Sequence, residues 1–358
     1  MGFERIVDLV KPQVAQTLVS SEHLENIKHV ASYLPTNVAG YFGFETQLLS
    51  DHADPDFAVN LCNDGLKWMS QADAPWPRVR QFCTLWGESS EPPYSDGSAV
   101  WLEFDVSGRL QEEQEPSLFF VLRDAQSSIQ SVLGKSSRPL EWIFHTLIPT
   151  VWGHPMSPAL EQNLRHIIEV CPDGVSILQM GLMLSRAIAA VRLCIFRVAP
   201  QEVFPLLHDV GWSGEASKLA QVLERYSPFA DSLCLHLDIG ERVFPTLGVE
   251  ILYHAEKDPW EYQPDSERRW QLLFECLVDD GLCLVSKRDV LLSWPSRTAC
   301  GLPFIEKLIA AASNDQMSIL PDGVLVTGLG HIKFSLSLAG EISAKAYFGA
   351  RYDAGMEV

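Results

Sequence analysis

The chain has 358 residues, of which 47% are hydrophobic and 20% are charged, a composition too apolar for a disordered protein. Its 46 acidic and 27 basic residues give a net charge of −19, which disfavours binding to nucleic acid or anionic membrane because both are bound mainly through Lys and Arg. No run of about eighteen uncharged apolar residues occurs and the N-terminus lacks a signal-peptide pattern. We therefore expect a cytoplasmic protein without membrane insertion.

The predicted elements are strands that come two at a time with helices between the pairs. A helical period over residues 4–33 predicts an opening amphipathic helix, and GYFGFETQLL with DFAVNL forms the first strand pair. Helical sequence then precedes each later pair, including SSIQSVLG and QEVFPLLHDVGW, and FIEKLIAAA precedes the last. The five strand pairs lie near residues 41–61, 99–123, 175–198, 232–254 and 331–350.

Strands that follow each other directly pair antiparallel, whereas a parallel sheet needs a helix between successive strands. The pattern predicts an α+β fold, a ten-stranded antiparallel β-barrel surrounded by α-helices, with residues 1–358 as a single domain. Ten strands enclose more space than the eight that side chains alone fill, so we expect a chamber. The alternative is two smaller α+β domains that meet near residues 153–172.

Alternation along each strand predicts which side chains face the chamber. In SLCLHLDI the leucines point to the helices, and His236 and Asp238 point inward. The same rule gathers five carboxylates, four cations and two imidazoles, a mixture whose members perturb each other's pKa. The titratable residues predicted to face inward are Glu45, Glu103, Asp105, Asp238, Glu250, Arg123, Arg192, Lys333, Lys345, His236, His331 and Tyr347, together with Trp101.

Strand pairs separated by helices and repeated five times resemble the ABBA, or PT-barrel, prenyltransferases. Lys345-Ala346-Tyr347 has the K-x-Y form of that family, and Glu45 stands in the first strand. The resemblance implies transfer of an isoprenoid from its diphosphate to an aromatic small molecule or peptide, in specialised metabolism. It implies Glu45 as general base, no cofactor except Mg²⁺ accompanying a diphosphate, and a diphosphate site formed by Lys345, Tyr347, Arg192, Lys333 and Arg123.

Two other hypotheses stay open because Cys194 stands where a second K-x-Y would place tyrosine. In the first, Glu103, His236, Asp238 and Glu250 perform acid/base chemistry on a peptide or cationic small molecule. In the second, the chamber is a recognition pocket without catalysis. Trp101 and His331 are predicted to bind the substrate. The eight scattered cysteines show no zinc-ligand spacing. His236 and Asp238, near Glu250 and Glu103, could bind a divalent metal through imidazole and carboxylate, but a hydrogen-bond network is favoured, so we predict no resident metal site.

Overall fold

The computed structural model describes residues 3–11, 14–34, 39–88, 100–106, 114–121, 138–172, 174–186, 190–253, 262–300 and 323–354. The strands within this part of the chain are β1 (Ala39–Gln47), β2 (Asp56–Leu61), β3 (Val100–Phe104), β4 (Ser117–Val121), β5 (Ser176–Leu182), β6 (Val191–Val198), β7 (Ser232–Ile239), β8 (Val243–Leu252), β9 (Ser296–Cys300), β10 (Gly323–Leu336) and β11 (Ile342–Ala354).

The described helices are distributed between the strand pairs. They are α1 (Glu4–Val10), α2 (Ser21–Ser32), α3 (Asn63–Gln71), α4 (Pro77–Glu88), α5 (Arg138–Trp142), α6 (Ile148–Trp152), α7 (Pro158–Val170), α8 (Val203–Asp209), α9 (Ala216–Tyr226), α10 (Arg269–Asp279) and α11 (Val285–Leu292). A π-helical turn, Ile143–Leu147, joins α5 to α6, and two short 3₁₀ turns, Pro200–Glu202 and Ser227–Phe229, flank α8 and α9.

The sheet closes on itself. Its strands follow one another in the order β11-β1-β2-β3-β4-β5-β6-β7-β8-β10, and β10 pairs again with β11 to complete a ring of ten. All of these pairings are antiparallel. The predicted ten-stranded barrel of five strand pairs is therefore confirmed.

An eleventh strand, β9, lies outside the ring and was not predicted. It pairs with the first half of β10, at Gly323–Thr327, while the second half of β10 pairs with β8. The segment SRTAC has no apolar alternation, so the periodicity carries no indication of a strand there. The start of β10, GVLVTGLG, was also missed: it is an apolar run without alternation and is interrupted by glycines.

The outer face of the barrel is apolar and is covered by helices, as predicted. Aromatic side chains on alternate strand positions contact aromatic residues of the helices. The ring of Trp76 beside α4 lies 4.9 Å from that of Phe104 in β3. Later in the chain, Tyr226 of α9 stacks on Phe334 of β10, with the ring centroids 4.3 Å apart. The main hydrophobic core thus lies between barrel and helices. The interior of the ring carries polar side chains together with a smaller apolar cluster, Phe119, Met183, Cys194 and Cys234.

The opening segment forms two helices rather than the one expected. The helix α1 ends at Val10, Pro12 follows in the sequence, and α2 begins after Ser20, whose hydroxyl accepts from the backbone amide of His23 at 3.1 Å. Proline lacks the backbone N–H donor that a continuous helix needs. Serine is a preferred N-cap residue. Two predicted helices, SSIQSVLG and FIEKLIAAA, lie outside the described residues.

The ring draws strands from both sides of residues 153–172, the alternative domain boundary, because β1 pairs with β11. The assignment of all 358 residues to one domain stays a prediction. Among the described helices, none is both long and apolar enough to span a membrane.

The ammonium group of Lys287 ties α11 to one end of the barrel. This side chain is 1% exposed, and its Nζ donates to Thr46 Oγ1 at 3.2 Å, to the carbonyl of Gln47 at 2.6 Å and to the carbonyl of His52 at 3.0 Å. Burial lowers the pKa of Lys287, so the three acceptors are what hold the charged form in place.

We expect Lys287→Met to lower the free energy of unfolding by about 2 kcal/mol, because it leaves buried oxygens without their charged donor. Denaturant unfolding measures the change, and Lys218→Met on the exposed face of α9 is the matched control, with an effect below about 0.5 kcal/mol. Equal stabilities of the two variants would show that the Lys287 contacts contribute nothing.

Candidate functional site

Cross-strand register arranges the inward side chains in adjacent rows. Glu45 of β1 faces Tyr347 of β11 on one side and Asp56 of β2 on the other, and Arg192 of β6 faces Asp238 of β7. Because alternate residues of a strand point to the same face, each such pairing places both side chains in the lumen. Two cavities lie among these side chains.

The first, here called the charged cavity, has a volume of about 580 Å³. Five basic and three acidic side chains line it, so its wall is net positive in a protein whose net charge is −19. The titratable residues of the wall are Arg186, Arg192, Arg242, Lys333, Lys345, Glu45, Glu103, Asp238 and His236.

Two of these cations are engaged in ion pairs across neighbouring strands. Arg192 donates to both carboxylate oxygens of Asp238, at 2.7 and 2.9 Å. Burial raises the pKa of Asp238, but the guanidinium outweighs burial and holds that pKa below its usual value. Lys345 Nζ donates to Glu45 Oε1. Burial again opposes ionisation of Glu45, yet Lys345 and Lys333 lower its pKa overall. Both carboxylates are therefore ionised at neutral pH.

A cluster of three carboxylates lies beside the Glu45–Lys345 pair. Asp56, Glu103 and Asp105 each offer an oxygen within 4.8 Å of the others, and Arg186 Nη2 lies 3.6 Å from Asp105 and 3.9 Å from Glu103. Burial and the facing charges of Glu45, Asp105 and Glu103 raise the pKa of Asp56 to about 7. Burial and Glu45 also raise the pKa of Glu103. Close carboxylates that resist simultaneous ionisation are suited to acid/base chemistry or to a divalent cation.

A second buried cluster joins β7, β8 and β10. One oxygen of Glu250 lies 2.6 Å from His236 Nε2 and 3.1 Å from His331 Nε2. Burial lowers the pKa of His236 to about 4, and the nearby Lys333 acts in the same direction. Burial opposes ionisation of Glu250, but the two facing imidazoles hold its pKa well below the usual range. At neutral pH the cluster thus contains a carboxylate beside a neutral His236.

The second cavity, here called the aromatic cavity, has a volume of about 550 Å³ and is lined mainly by Tyr41, Trp101, His331, Tyr347 and glycines. The His331 imidazole stacks on the Tyr347 ring at 4.2 Å. Lys333 Nζ, which also lines the charged cavity, donates to the Tyr347 hydroxyl at 3.3 Å. The phenol of Tyr347 therefore meets a cation at the boundary between the two cavities.

Glycine is required where β1 and β11 approach each other beside the aromatic cavity. A Cβ atom on Gly349 would lie 2.3 Å from the carbonyl oxygen of Phe42. The absence of a side chain at this position also leaves the volume of the cavity open.

The structure brings together nearly all the predicted site residues. The wall of the charged cavity contains Glu45, Glu103, His236, Asp238, Arg192, Lys333 and Lys345, and that of the aromatic cavity contains Trp101, His331 and Tyr347. Glu250 contacts His236 and His331 behind those walls. The predicted Arg123 lies outside the described residues.

Four lumen residues were missed at the sequence level. Tyr41 lies on the same face of β1 as Glu45, and Asp56 faces Glu45 from β2, so the alternation that placed Glu45 also indicates both. Arg186 and Arg242 lie between strands rather than within them, where no alternation exists to assign a face.

The sequence matches no protein-family model and no curated protein. Among solved structures, the chain is similar to AnaPT from Neosartorya fischeri, with 10% identity and a TM-score of 0.49 over 99% of this chain and 93% of that one. It is also similar to PriB in a binary complex with product diphosphate, with 12% identity and a TM-score of 0.46 over 98% of this chain and 99% of that one.

The raised pKa of Asp56 makes a pH-dependent contribution to stability. Its carboxyl holds a proton up to about pH 7 in the folded chain but only to about pH 4 when unfolded. The folded state therefore binds more protons between these values, and stability falls as the pH rises through this interval. We expect Asp56→Asn to raise the free energy of unfolding by about 2 kcal/mol at pH 8 and not at pH 4.

Urea unfolding of both proteins at the two pH values measures this difference. Asp73→Asn, a change at an exposed loop carboxylate, is the control and leaves the pH profile unchanged. If the free energy of unfolding changed equally with pH in Asp56→Asn and in the wild type, the raised pKa of Asp56 would be contradicted.

Proposed function

We propose that the chain is an enzyme that transfers an isoprenoid group from its diphosphate to an aromatic small molecule or peptide. The observation that carries this proposal is the net positive charged cavity, with five basic and three acidic side chains, beside an aromatic cavity. A diphosphate matches the net positive charged cavity, and an aromatic acceptor matches the aromatic cavity beside it. Volumes of 550 and 580 Å³ suit small ligands.

Lys333 is a cation of the charged cavity that donates a hydrogen bond to a neutral group. The Nζ of Lys333 donates to the hydroxyl of Tyr347. Lys345 and Arg192, by contrast, form ion pairs with the carboxylates of Glu45 and Asp238. Arg242 is exposed on the wall of the same cavity. A bound diphosphate would accept charge-assisted hydrogen bonds from Lys333. It would also accept hydrogen bonds from Lys345 and Arg192 while these side chains keep their carboxylate partners.

Repulsion by the acidic residues is reduced in two ways. Asp238 is neutralised by two hydrogen bonds from Arg192, and Glu103 and Asp56 have raised pKa values that favour their neutral forms. Mg²⁺ accompanying the diphosphate would find its preferred oxygen ligands in the Asp56, Glu103 and Asp105 cluster and would supply charge neutralisation of the leaving group.

The boundary between the cavities suits the reacting carbon. Tyr347 presents its ring there, with Lys333 Nζ at 5.6 Å from the ring centroid, and an aromatic face stabilises a developing allylic cation. The aromatic acceptor would occupy the aromatic cavity, where Trp101 and His331 offer stacking surfaces.

Glu45 is placed to accept the proton that the acceptor ring loses after the new carbon–carbon bond forms. It lies in register with Tyr347 at the boundary of the cavities. Its lowered pKa keeps it ionised, and a weak base suffices because a protonated, dearomatised ring is strongly acidic. Lys345 then holds the Glu45 carboxylate in one orientation.

The carboxylate cluster supports acid/base chemistry on a peptide or cationic small molecule as a second candidate function. A pKa of about 7 at Asp56 is close to the value at which a carboxyl group exchanges protons at neutral pH. Asp238 is less suited to that role because Arg192 keeps it ionised. Under this second candidate function, the charged cavity binds the peptide or cationic substrate and no diphosphate.

We expect the chain to bind a non-hydrolysable dimethylallyl diphosphate analogue, and Lys333→Met to weaken that binding by about 10- to 100-fold, the loss of one charge-assisted contact. Calorimetric titration with and without Mg²⁺ measures both affinities. Lys218→Met, the matched lysine change on the outer surface, leaves the affinity unchanged. Absence of binding both with and without Mg²⁺ would exclude the isoprenoid diphosphate and favour the acid/base candidate.

Filling the aromatic cavity should separate acceptor binding from diphosphate binding. Ala58 lines this cavity, and Ala58→Leu places three further carbon atoms in it. We expect acceptor affinity, measured with indole and simple phenols, to fall by about tenfold while the diphosphate analogue binds as before. A parallel loss of both affinities would contradict the assignment of the two ligands to separate cavities.

A further inference from the structure

The cluster on β7, β8 and β10 contains the ligand types of a transition-metal site. Register places Cys234 of β7 opposite Glu250 of β8, and His236 follows two residues later on the same face of β7. The sulfur of Cys234, a ring nitrogen of His236 and a carboxylate oxygen of Glu250 all lie within 4.8 Å of one another. His331 of β10 adds a second imidazole, with Nε2 at 3.1 Å from Glu250.

The two imidazole nitrogens that face Glu250 lack aligned donors or acceptors. Within the described part of the chain, His236 Nε2 and His331 Nε2 are buried and neither makes a hydrogen bond of acceptable geometry. Both nevertheless approach the same carboxylate oxygen, at 2.6 and 3.1 Å. Buried polar atoms are normally satisfied, and a metal ion bound by both nitrogens and by the carboxylate would satisfy all three once these side chains separate to ligand spacing.

The other ring nitrogen of His236 contacts a second cysteine. Nδ1 lies 3.6 Å from the sulfur of Cys194, its register partner on β6. This contact orients the ring so that Nε2 faces Glu250, and contacts outside the ligand set orient ligating histidines.

We propose that Cys234, His236, Glu250 and His331 bind one divalent first-row transition metal ion, with Zn²⁺ as the best match. One thiolate, two imidazoles and one carboxylate form a mixed set of sulfur, nitrogen and oxygen ligands, which zinc accepts in tetrahedral sites. Binding replaces the thiol proton of Cys234, which leaves to solvent, so the two anionic ligands balance the charge of the ion. The mutually close ligand atoms are those of Cys234, His236 and Glu250. His331, 3.1 Å from Glu250, would supply the fourth ligand from β10, so that the site ties three strands together.

The proposed metal site is separate from the proposed diphosphate site and does not depend on it. Cys234 and Glu250 are outside the wall of the charged cavity, to which only His236 of this set belongs. The nearest cation in register is Lys333, opposite Glu250, and its ammonium points to the Tyr347 hydroxyl at 3.3 Å.

Cobalt titration of the full-length, chelator-treated protein tests the proposal. Co²⁺ replaces Zn²⁺ and reports its ligands directly, through visible bands of tetrahedral cobalt and a near-ultraviolet sulfur-to-metal charge-transfer band. We expect one Co²⁺ per chain, displaced by Zn²⁺, and a rise in the melting temperature on addition of Zn²⁺.

Isosteric variants identify the ligands. Cys234→Ser should abolish the charge-transfer band and weaken Zn²⁺ binding by at least about tenfold, and His331→Asn, which keeps the thiol, should weaken binding while the band is retained at saturating Co²⁺. Cys276→Ser, a change at the half-buried cysteine of α10, is the matched control. It leaves the Zn²⁺ affinity and the charge-transfer band unchanged. Absence of stoichiometric Co²⁺ binding, or an unaltered charge-transfer band in Cys234→Ser, would overturn the proposal.

Discussion

Closure of the ring between β10 and β11 is the constraint on which the rest of the molecule depends. β11 pairs with β10 along almost its whole length and with β1 on its other edge, so no edge of the ten-stranded ring is left open. Every second side chain of each strand then faces an enclosed lumen instead of solvent. Apolar residues occupy the outward positions and pack under the helices, and the inward positions are free to carry charge without weakening the main core.

Enclosed charges must be compensated, and the strand register supplies the partners. Arg192 meets Asp238 on the neighbouring strand, and Lys345 of β11 reaches Glu45 of β1. Removing one partner of such a pair leaves a buried charge alone, which costs far more than the pair itself contributes. An anionic ligand in the charged cavity therefore acts by joining these pairs and engaging Lys333, whose polar partner is the hydroxyl of Tyr347.

Much of this arrangement follows from the sequence, because period-two alternation assigns faces and paired strands imply antiparallel neighbours. Alternation placed Glu45, Glu103 and His236 in the lumen correctly, and it would have placed Asp56 there also. It gives no distances between strands that are remote in sequence: the Glu45–Lys345 contact spans 300 residues and exists only once the ring closes. Arg186 and Arg242 lie in connections, where backbone geometry rather than periodicity decides the direction of a side chain.

A turnover assay distinguishes isoprenoid transfer in the two lumen cavities from ligand binding alone. Purified protein is incubated with dimethylallyl diphosphate, Mg²⁺ and a panel of indoles, phenols and tryptophan- or tyrosine-containing peptides, and the products are identified by mass spectrometry. We expect at least one acceptor to gain a single dimethylallyl group, with diphosphate released in equal amount. Binding of the donor without transfer to any member of the panel would rule out isoprenoid transfer to these acceptor classes and leave the lumen as a binding site.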